Sequence, residues 1–269
     1  MRSILLHIRD DRCLKARAQV AFDLARAFEG HVSCLQAVPY NVGVPSDFMS
    51  AAMTQILPLL KEQAAELRQK MESRLTKEDA SWAWIEQDGS AAYRIPQHAL
   101  LNDLVVMGAC NDVGGEDAYS SLAAKMCLTV DAPVMLVPEA STSFDADAPV
   151  IIAWNGSAEA CQAIKAALPL LQRASTVFLM SVEEHSDRDR FPNTAAARYL
   201  ARHDIKAELS AESMLKDGIA ATLNEQARRR AASCIIMGAY GHSRVRELVL
   251  GGVTRQMMKT SEVPLLFAH

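Results

Sequence analysis

The sequence has no apolar run of the roughly 18 residues that a membrane-spanning helix needs. Nothing in it resembles an export signal, since a strand-like apolar run begins within a few residues of Met1, and no secretory leader is expected. These two absences predict a cytoplasmic protein that has no membrane partner.

Clustered positive charge is scarce as well. The 28 Lys and Arg residues are outnumbered by 32 Asp and Glu residues, and the formal net charge is −4. The basic run at residues 228–230 is interpreted as the solvent-exposed end of a helix. Binding to nucleic acid or to an anionic membrane depends on clustered positive charge, so neither partner is expected.

Cysteine pairs of the Cys-x-x-Cys type are absent, and so are the ligand spacings of zinc sites. In a reducing compartment the cysteines are expected to be small buried hydrophobic residues without a structural disulfide. A local cluster of metal-ligand residue types at residues 183–185 is interpreted as a solvated loop, so no metal site is expected. The six cysteines are Cys13, Cys34, Cys110, Cys127, Cys161 and Cys234.

Two segments of the sequence repeat each other. Residues 104–110 read LVVMGAC and residues 234–240 read CIIMGAY, and each segment is followed by a proline and a short apolar run. The two Met-Gly pairs lie 130 residues apart, and the prolines Pro133 and Pro264 lie 131 residues apart. This nearly constant period predicts an internal duplication, with two copies of one domain of ordinary size.

Within each half, short apolar runs alternate with longer segments whose apolar residues recur at helical spacing. This alternation is typical of βαβ units and predicts an α/β fold with a five-stranded, mostly parallel sheet in each half. The predicted strands cover residues 4–8, 32–38, 82–86, 104–107 and 134–137, then 150–154, 177–182, 207–211, 234–237 and 265–267. The predicted helices cover residues 14–28, 51–75, 91–100 and 121–128, then 158–171, 194–203, 219–230 and 253–260.

Residues 139–149, between the two halves, contain few large apolar groups, and a proline lies at or beside each end. This composition is typical of an interdomain linker, so the predicted domains are residues 1–138 and 150–269. Doubly wound sheets bind ligands at the carboxyl ends of their strands. Binding residues are therefore expected in the loops that follow the strands.

A glycine-rich segment follows the fourth predicted strand of the second half. Gly238 and Gly241 can adopt positive φ and bring backbone N–H groups close to a ligand. Gly251 and Gly252 open the next predicted helix, whose first N–H groups lack partners and whose dipole favours a phosphate. Thr254 adds a hydroxyl one turn later. The segment favours a phosphate cradle, and the alternative is that each glycine only ends a strand or begins a helix.

The spacing Gly-x2-Gly-x9-Gly, followed by a helix and a terminal Val-Pro-Leu-Leu run, resembles the nucleotide-binding signature of the universal stress protein family in its tandem-domain form. The resemblance covers residues 150–269 through this motif and residues 1–137 through the order of the elements. It implies two five-stranded, Rossmann-like parallel sheets of the adenine-nucleotide alpha hydrolase-like type. It also implies that adenine and ribose bind near the first and second strands and the triphosphate on the glycine segment.

Carried over by position, the resemblance implies a set of nucleotide-binding residues in the second half. The family usually has an aspartate at the position of Asn155 and a Ser or Thr at that of Gly252. Each difference removes a hydrogen bond of about 1 kcal/mol, which is too little to abolish binding. His242 and Arg244 are candidates for contact with the terminal phosphate. The other implied residues are Gly156, Ser157, Val182, Gly238, Gly241, Gly251, Val253 and Thr254.

The first half lacks this motif. At matched positions it has Asn111 in place of the second glycine, Ser121 and Leu122 in place of the helix-opening pair, and Ala124 in place of Thr254. The sequence therefore predicts one nucleotide site per chain, in the second half.

These features favour a regulatory binding protein of the stress response over an efficient enzyme. The sequence has no Gly-x-x-x-x-Gly-Lys-Ser/Thr loop, no Gly-x-Ser-x-Gly elbow and no Cys-His pair at a telling spacing. Glu247, which could hold Mg²⁺, is interpreted as a solvent-facing helix residue. The expected cofactor is ATP or a related adenine nucleotide, with or without Mg²⁺, and slow hydrolysis or autophosphorylation stays open.

Two other functions stay open. One is a ligand-free interaction module whose glycines only build turns. The other is an apolar ligand in a pocket walled by the long helix predicted at residues 51–75, although helix-spaced Leu and Met residues usually form core. The resemblance also implies pairing through the last strand, at residues 264–267. The two halves of a tandem chain can satisfy that pairing internally, and a homodimer stays open.

Overall fold

The computed structural model describes residues 1–39, 47–110, 120–183, 194–239 and 251–268, and for residues 47–55 and 183 it describes the backbone only. Helices and strands alternate through both halves, as the hydrophobic pattern predicts. The elements of the first half are β1 (Ser3–Ile8), α1 (Leu14–Phe28), β2 (His31–Val38), α2 (Asp47–Leu75), β3 (Ser81–Asp88), α3 (Ala91–Ala99), β4 (Leu104–Gly108), α4 (Ser121–Thr129) and β5 (Val134–Val137).

The second half repeats this order. Its elements are β6 (Val150–Ala153), α5 (Ala158–Leu171), β7 (Val177–Glu183), α6 (Thr194–Ala201), β8 (Ala207–Ser213), α7 (Gly218–Arg229), β9 (Cys234–Gly238), α8 (Gly252–Thr260) and β10 (Leu265–Ala268). The predicted α/β fold with five parallel strands in each half is confirmed, and α2 begins four residues earlier than predicted.

All ten strands form one sheet, in the order β3-β2-β1-β4-β5-β10-β9-β6-β7-β8. Neighbouring strands are parallel within each half, whereas β5 and β10 are antiparallel, with Leu265 opposite Leu136 and Phe267 opposite Val134. Each half alone would leave its last strand with an unpaired edge, which is a site of uncontrolled strand pairing. The contact between β5 and β10 covers both edges at once.

Helices cover both faces of the sheet. Buried side chains of α1, α2, α5 and α6 form a core on one face, and those of α3, α4, α7 and α8 form a core on the other. Strands that are buried on both faces have continuous apolar runs in place of alternating ones. This is why LLHI in β1 and CIIM in β9 could be identified as strands from the sequence.

The connection between the halves is packed against them. Residues 139–149 contain no helix or strand, but Phe144 is buried in the core beside α1, and its backbone N–H donates to Asp23 Oδ2 at 2.8 Å. Arg173, just after α5, donates to Asp147 Oδ2 at 2.9 Å. The segment is therefore anchored to both halves, and the domain boundaries at residues 138 and 150 stay a prediction.

The expectation of six free cysteines is wrong for one pair. Cys13 and Cys110 form a disulfide, with their Cα atoms 6.0 Å apart and a sequence separation of 97. Cys13 lies just before α1 and Cys110 just after β4, and β1 and β4 are neighbouring parallel strands. The segments that follow these strands therefore meet at one edge of the sheet, which cysteine spacing along the chain could not reveal.

The remaining cysteines behave as predicted. Cys34, Cys127 and Cys234 are buried and free, and Cys161 is half-buried. Burial raises the pKa of the Cys34 and Cys234 thiols to about 12 and also raises the pKa of Cys127, so these thiols stay protonated at neutral pH. Among the described residues, no helix combines the length and the apolar character that crossing a bilayer requires.

Candidate functional site

A cavity of about 310 Å³ opens at the carboxyl edge of the sheet in the second half. It lies between the ends of β6, β7 and β9, the first turns of α7 and the start of α8. This is the edge at which open α/β sheets bind ligands, and the volume lies at the lower end of the range for small-molecule sites. The site is built from three strand ends and the N-terminal parts of two helices.

Seven of the residues that the resemblance implies line this cavity. They are Asn155, Val182, Gly238, Gly251, Gly252, Val253 and Thr254. Gly241, His242 and Arg244 lie outside the described residues, as do Glu247 and His185 of the cluster interpreted as a solvated loop. The structure thus brings together the first-strand loop, the second strand and the start of the last helix.

Gly156 and Ser157 do not line the cavity. Gly156 has φ +76°, in the left-handed region, so it makes the turn that leads from β6 into α5. The Ser157 hydroxyl caps α5 by accepting the Ala160 backbone N–H at 3.1 Å. The Asn155 side chain supports the same turn, because its Oδ1 accepts the Ser157 N–H at 3.1 Å. Asn155 therefore has its amide N–H groups available to a ligand.

The start of α8 is open to a ligand. Gly251 provides no side-chain cap, and the first turn contains no acidic residue. Among the described residues, nothing lies within 4 Å of a Cβ atom built at Gly251 or Gly252. The first N–H groups of an uncapped helix carry partial positive charge and lack intrahelical acceptors. This end of α8 therefore presents backbone donors to the cavity, and no side chain of the part of the chain that the structure describes stands in front of them.

Gly238 has a different role from the one the sequence suggested. Positive φ was the expected reason for glycine here, but Gly238 is not among the glycines with positive φ. A Cβ atom at this position would lie 2.6 Å from the backbone N of Ala160 and 2.6 Å from the backbone carbonyl carbon of Glu159. Gly238 is therefore required because α5 packs directly against the end of β9.

The opposite wall of the cavity is apolar and was not predicted. Ala153 is in register with Met180 on one neighbouring strand and with Met237 on the other, so these side chains lie at one level of the sheet. Trp154, Ile219 and Leu223 complete the wall. None of the described residues that line the cavity carries a charge. Such a wall is suited to a flat, uncharged ring system.

In the first half, a buried charged side chain packs against the strand glycine that corresponds to Gly238. A Cβ at Gly108, the counterpart of Gly238, would lie 2.8 Å from Arg17 Nη1. The guanidinium of Arg17 is fully buried, donates from Nε to the His7 carbonyl at 2.8 Å and from Nη2 to the Arg9 carbonyl at 2.6 Å, and pairs with Asp11. A buried charge needs such partners, so Arg17 ties the end of β1 to α1.

The start of α4 also differs from the start of α8. The Ser120 hydroxyl accepts the Ala123 backbone N–H at 3.2 Å and so caps the helix. Leu122 stands in the first turn, where α8 has an exposed glycine. In the second half the start of α8 could hold a phosphate. In the first half the Ser120 cap already uses one backbone N–H of α4, and Leu122 covers the start of this helix.

His7 is a second buried polar group of the first half and makes stability depend on pH. Burial, with smaller repulsion from Arg17 and Arg9, lowers its pKa from 6.5 to about 3. The unfolded chain therefore binds a proton below pH 6.5 that the folded chain does not bind until about pH 3. The contribution of neutral His7 is fully present above pH 6.5 and is lost progressively as the pH falls toward 3.

We expect the free energy of unfolding of the wild type to fall by about 2 kcal/mol more than that of His7→Gln between pH 7.5 and pH 5. Urea denaturation of both proteins at each pH measures this difference. Because all other titrating groups are shared, parallel pH profiles of the two proteins would contradict the role assigned to His7.

Comparison with known proteins agrees with this geometry. Residues 148–269 match the model of the universal stress protein family. A universal stress protein from Synechocystis sp. is 26% identical over 171 residues, and the match covers 61% of this chain and 57% of that relative.

Two solved structures share the fold over almost the whole chain. A universal stress protein from Archaeoglobus fulgidus DSM 4304 is 16% identical and has a TM-score of 0.67, with 99% of this chain and 96% of that one covered. A functionally unknown protein from Pseudomonas aeruginosa PAO1 is 17% identical and has a TM-score of 0.57, with 100% and 92% covered. Residues 148–269 are therefore a domain of the universal stress protein family, and the first half of the chain repeats its fold.

Proposed function

We propose that the second half binds ATP or a related adenine nucleotide and that the protein acts as a regulatory binding protein of the stress response. The observation that supports this most strongly is the open N-terminus of α8, where Gly251 and Gly252 leave backbone donors uncovered at the rim of an apolar cavity. A helix start of this kind is a ready-made site for a phosphate. The apolar wall beside it matches a base.

The cavity suggests how a nucleotide would be held. The base would lie against Met180 and Val182 of β7 and Met237 of β9, the two strands that flank β6. The Asn155 amide would donate to ribose or base, and the phosphates would accept N–H groups from the start of α8. The Thr254 hydroxyl lies in the same first turns of α8 and is a further donor.

The residues around the cavity favour binding over catalysis. None of the described lining residues is a carboxylate, so none supplies an anionic ligand for Mg²⁺ or a general base for water. In this proposal a bound Mg²⁺ would be held by the nucleotide phosphates. Occupancy would act by stabilising the conformation that binds ATP better, as any ligand does. The cytoplasmic location and a homodimer stay predictions from the sequence and the family resemblance.

Titration calorimetry on the full-length chain tests this proposal with a matched pair of variants. Gly252→Asp places a carboxylate in the first turn of α8, where it favours the helix but repels a phosphate. Gly252→Asn has nearly the same shape without the charge. ATP is expected to bind Gly252→Asp at least about tenfold more weakly than the wild type and Gly252→Asn within about threefold. Adenosine, which has no phosphate, is expected to bind all three proteins equally.

Two results would contradict the proposal. Equal ATP affinity of Gly252→Asp and Gly252→Asn would mean that the phosphates do not lie at α8. A wild-type protein that is free of nucleotide and gives no heat with ATP or adenosine would favour the ligand-free interaction module.

A further inference from the structure

The first half contains a second, larger cavity. Its volume is about 930 Å³, and it opens at the carboxyl ends of β1 and β2, between the start of α3 and one face of α2. We propose that this cavity binds an uncharged organic ligand that has an apolar body and one N–H or O–H donor. The site is distinct from the nucleotide cavity and does not depend on the function proposed above.

A buried amide in the cavity wall points to the donor. Gln36 is 3% exposed, and its Nε2 donates to the Ala64 carbonyl on α2 at 3.1 Å. Its Oε1 is buried and has no hydrogen-bond partner among the described residues. An acceptor left unsatisfied in this way costs free energy that a bound donor would recover. The Oε1 atom of Gln36 can therefore accept a hydrogen bond from an N–H or O–H group of a ligand.

The surfaces around Gln36 are suited to an apolar body. Leu60 and Leu67 of α2, together with Ala37 and Leu122, contribute apolar side chains to the wall. This agrees with the hypothesis, raised from the sequence, that the long helix walls a pocket for an apolar ligand. Leu67 of α2 contributes to the cavity wall and also belongs to the buried core.

The charges at the cavity argue for an uncharged ligand. The lining contains two cations, Arg9 and Lys70, and two anions, Asp10 and Glu66. Lys70 of α2 pairs with Asp10 after β1, with Nζ and Oδ1 3.5 Å apart. These charges cancel, so the cavity gives no net attraction to an anion or a cation. The capped start of α4, with Leu122 in the cavity wall, likewise provides no open phosphate site.

Methyl NMR on the full-length protein tests the proposal with two matched probes. Indole has one N–H donor on an apolar body, and 1-methylindole has nearly the same shape without the donor. We expect indole at millimolar concentration to shift the Ala64 and Leu67 methyl signals saturably, with a dissociation constant that is independent of any shifts of Leu223 and Val253 in the nucleotide cavity. 1-Methylindole is expected to bind the wild type about fivefold more weakly than indole, since it cannot donate to Gln36.

Two variants separate the role of Gln36 from a general effect on the protein. Gln36→Leu removes the acceptor at similar size, and we expect it to bind indole about fivefold more weakly and 1-methylindole as the wild type does. Gln172→Leu makes the same change at an exposed position in the second half and is expected to leave both affinities unchanged.

Several outcomes would overturn the proposal. The proposal is wrong if indole does not shift the Ala64 and Leu67 signals. It is also wrong if the shifts are confined to the nucleotide cavity. Equal affinity of the wild type for indole and 1-methylindole would also overturn the proposal. This comparison uses the wild type alone, so it does not depend on the folding of a variant.

Discussion

Gly238→Val is expected to lower the free energy of unfolding by about 3 kcal/mol or more. The end of β9 and the first turn of α5 are in direct backbone contact, and an added Cβ would lie 2.6 Å from the backbone N of Ala160. Real Cβ atoms do not approach backbone atoms this closely, and a backbone segment cannot rotate away as a side chain can. Either α5 must move from the sheet or β9 must shift, and both disturb the core between them.

The matched control is Gly252→Val. Gly252 has open space around its missing Cβ, so the same change should alter the free energy of unfolding by less than about 0.5 kcal/mol. Urea denaturation of the wild type and both variants measures the two effects. If Gly238→Val proves as stable as Gly252→Val, the close packing of α5 against β9 is not what requires glycine at this position.

Replacing both Cys13 and Cys110 by alanine is expected to lower the free energy of unfolding by about 2–4 kcal/mol. The disulfide joins residues that are 97 positions apart, and a cross-link over so long a segment restricts the unfolded chain strongly. It also fixes the N-terminus of α1 to the segment after β4, where Arg17 and Gly108 are tightly packed. The folded state loses this tether when the cysteines are replaced.

Denaturation with and without a thiol reductant measures the contribution of the disulfide. The wild type is expected to lose stability on reduction to about the level of the double variant, and the double variant should not respond. Cys161→Ala, at a free and half-buried cysteine, is the control and should keep the full response to reductant. A wild type whose stability is the same in both conditions would contradict the bond between Cys13 and Cys110.

Local sequence was sufficient for the order of the elements because strands buried on both faces are short apolar runs between amphipathic helices. The helix-opening pair at Gly251 and Gly252 could also be found from the sequence. Glycine has a low helix propensity, so two glycines at the start of a helix indicate a role other than helix stability. These features are encoded within a few residues and need no knowledge of distant contacts.

The parts that were missed depend on which strands lie side by side. Met180 and Met237 join Ala153 in the cavity wall only because β7 and β9 flank β6 in register. The same adjacency of β1 and β4 brings Cys13 to Cys110. The requirement for Gly238 comes from the approach of α5, and no pattern within its own segment records that distance. With the sheet order known, each of these contacts could be deduced.

The most direct test of the account is the number of ATP molecules bound per chain. Calorimetric titration of nucleotide-free, full-length protein should give one ATP per chain, because the start of α8 has no side-chain cap whereas the corresponding start of α4 is capped by Ser120. Two ATP molecules per chain would contradict the assignment of the cavity in the first half to an uncharged ligand. No binding at all would contradict the nucleotide site itself.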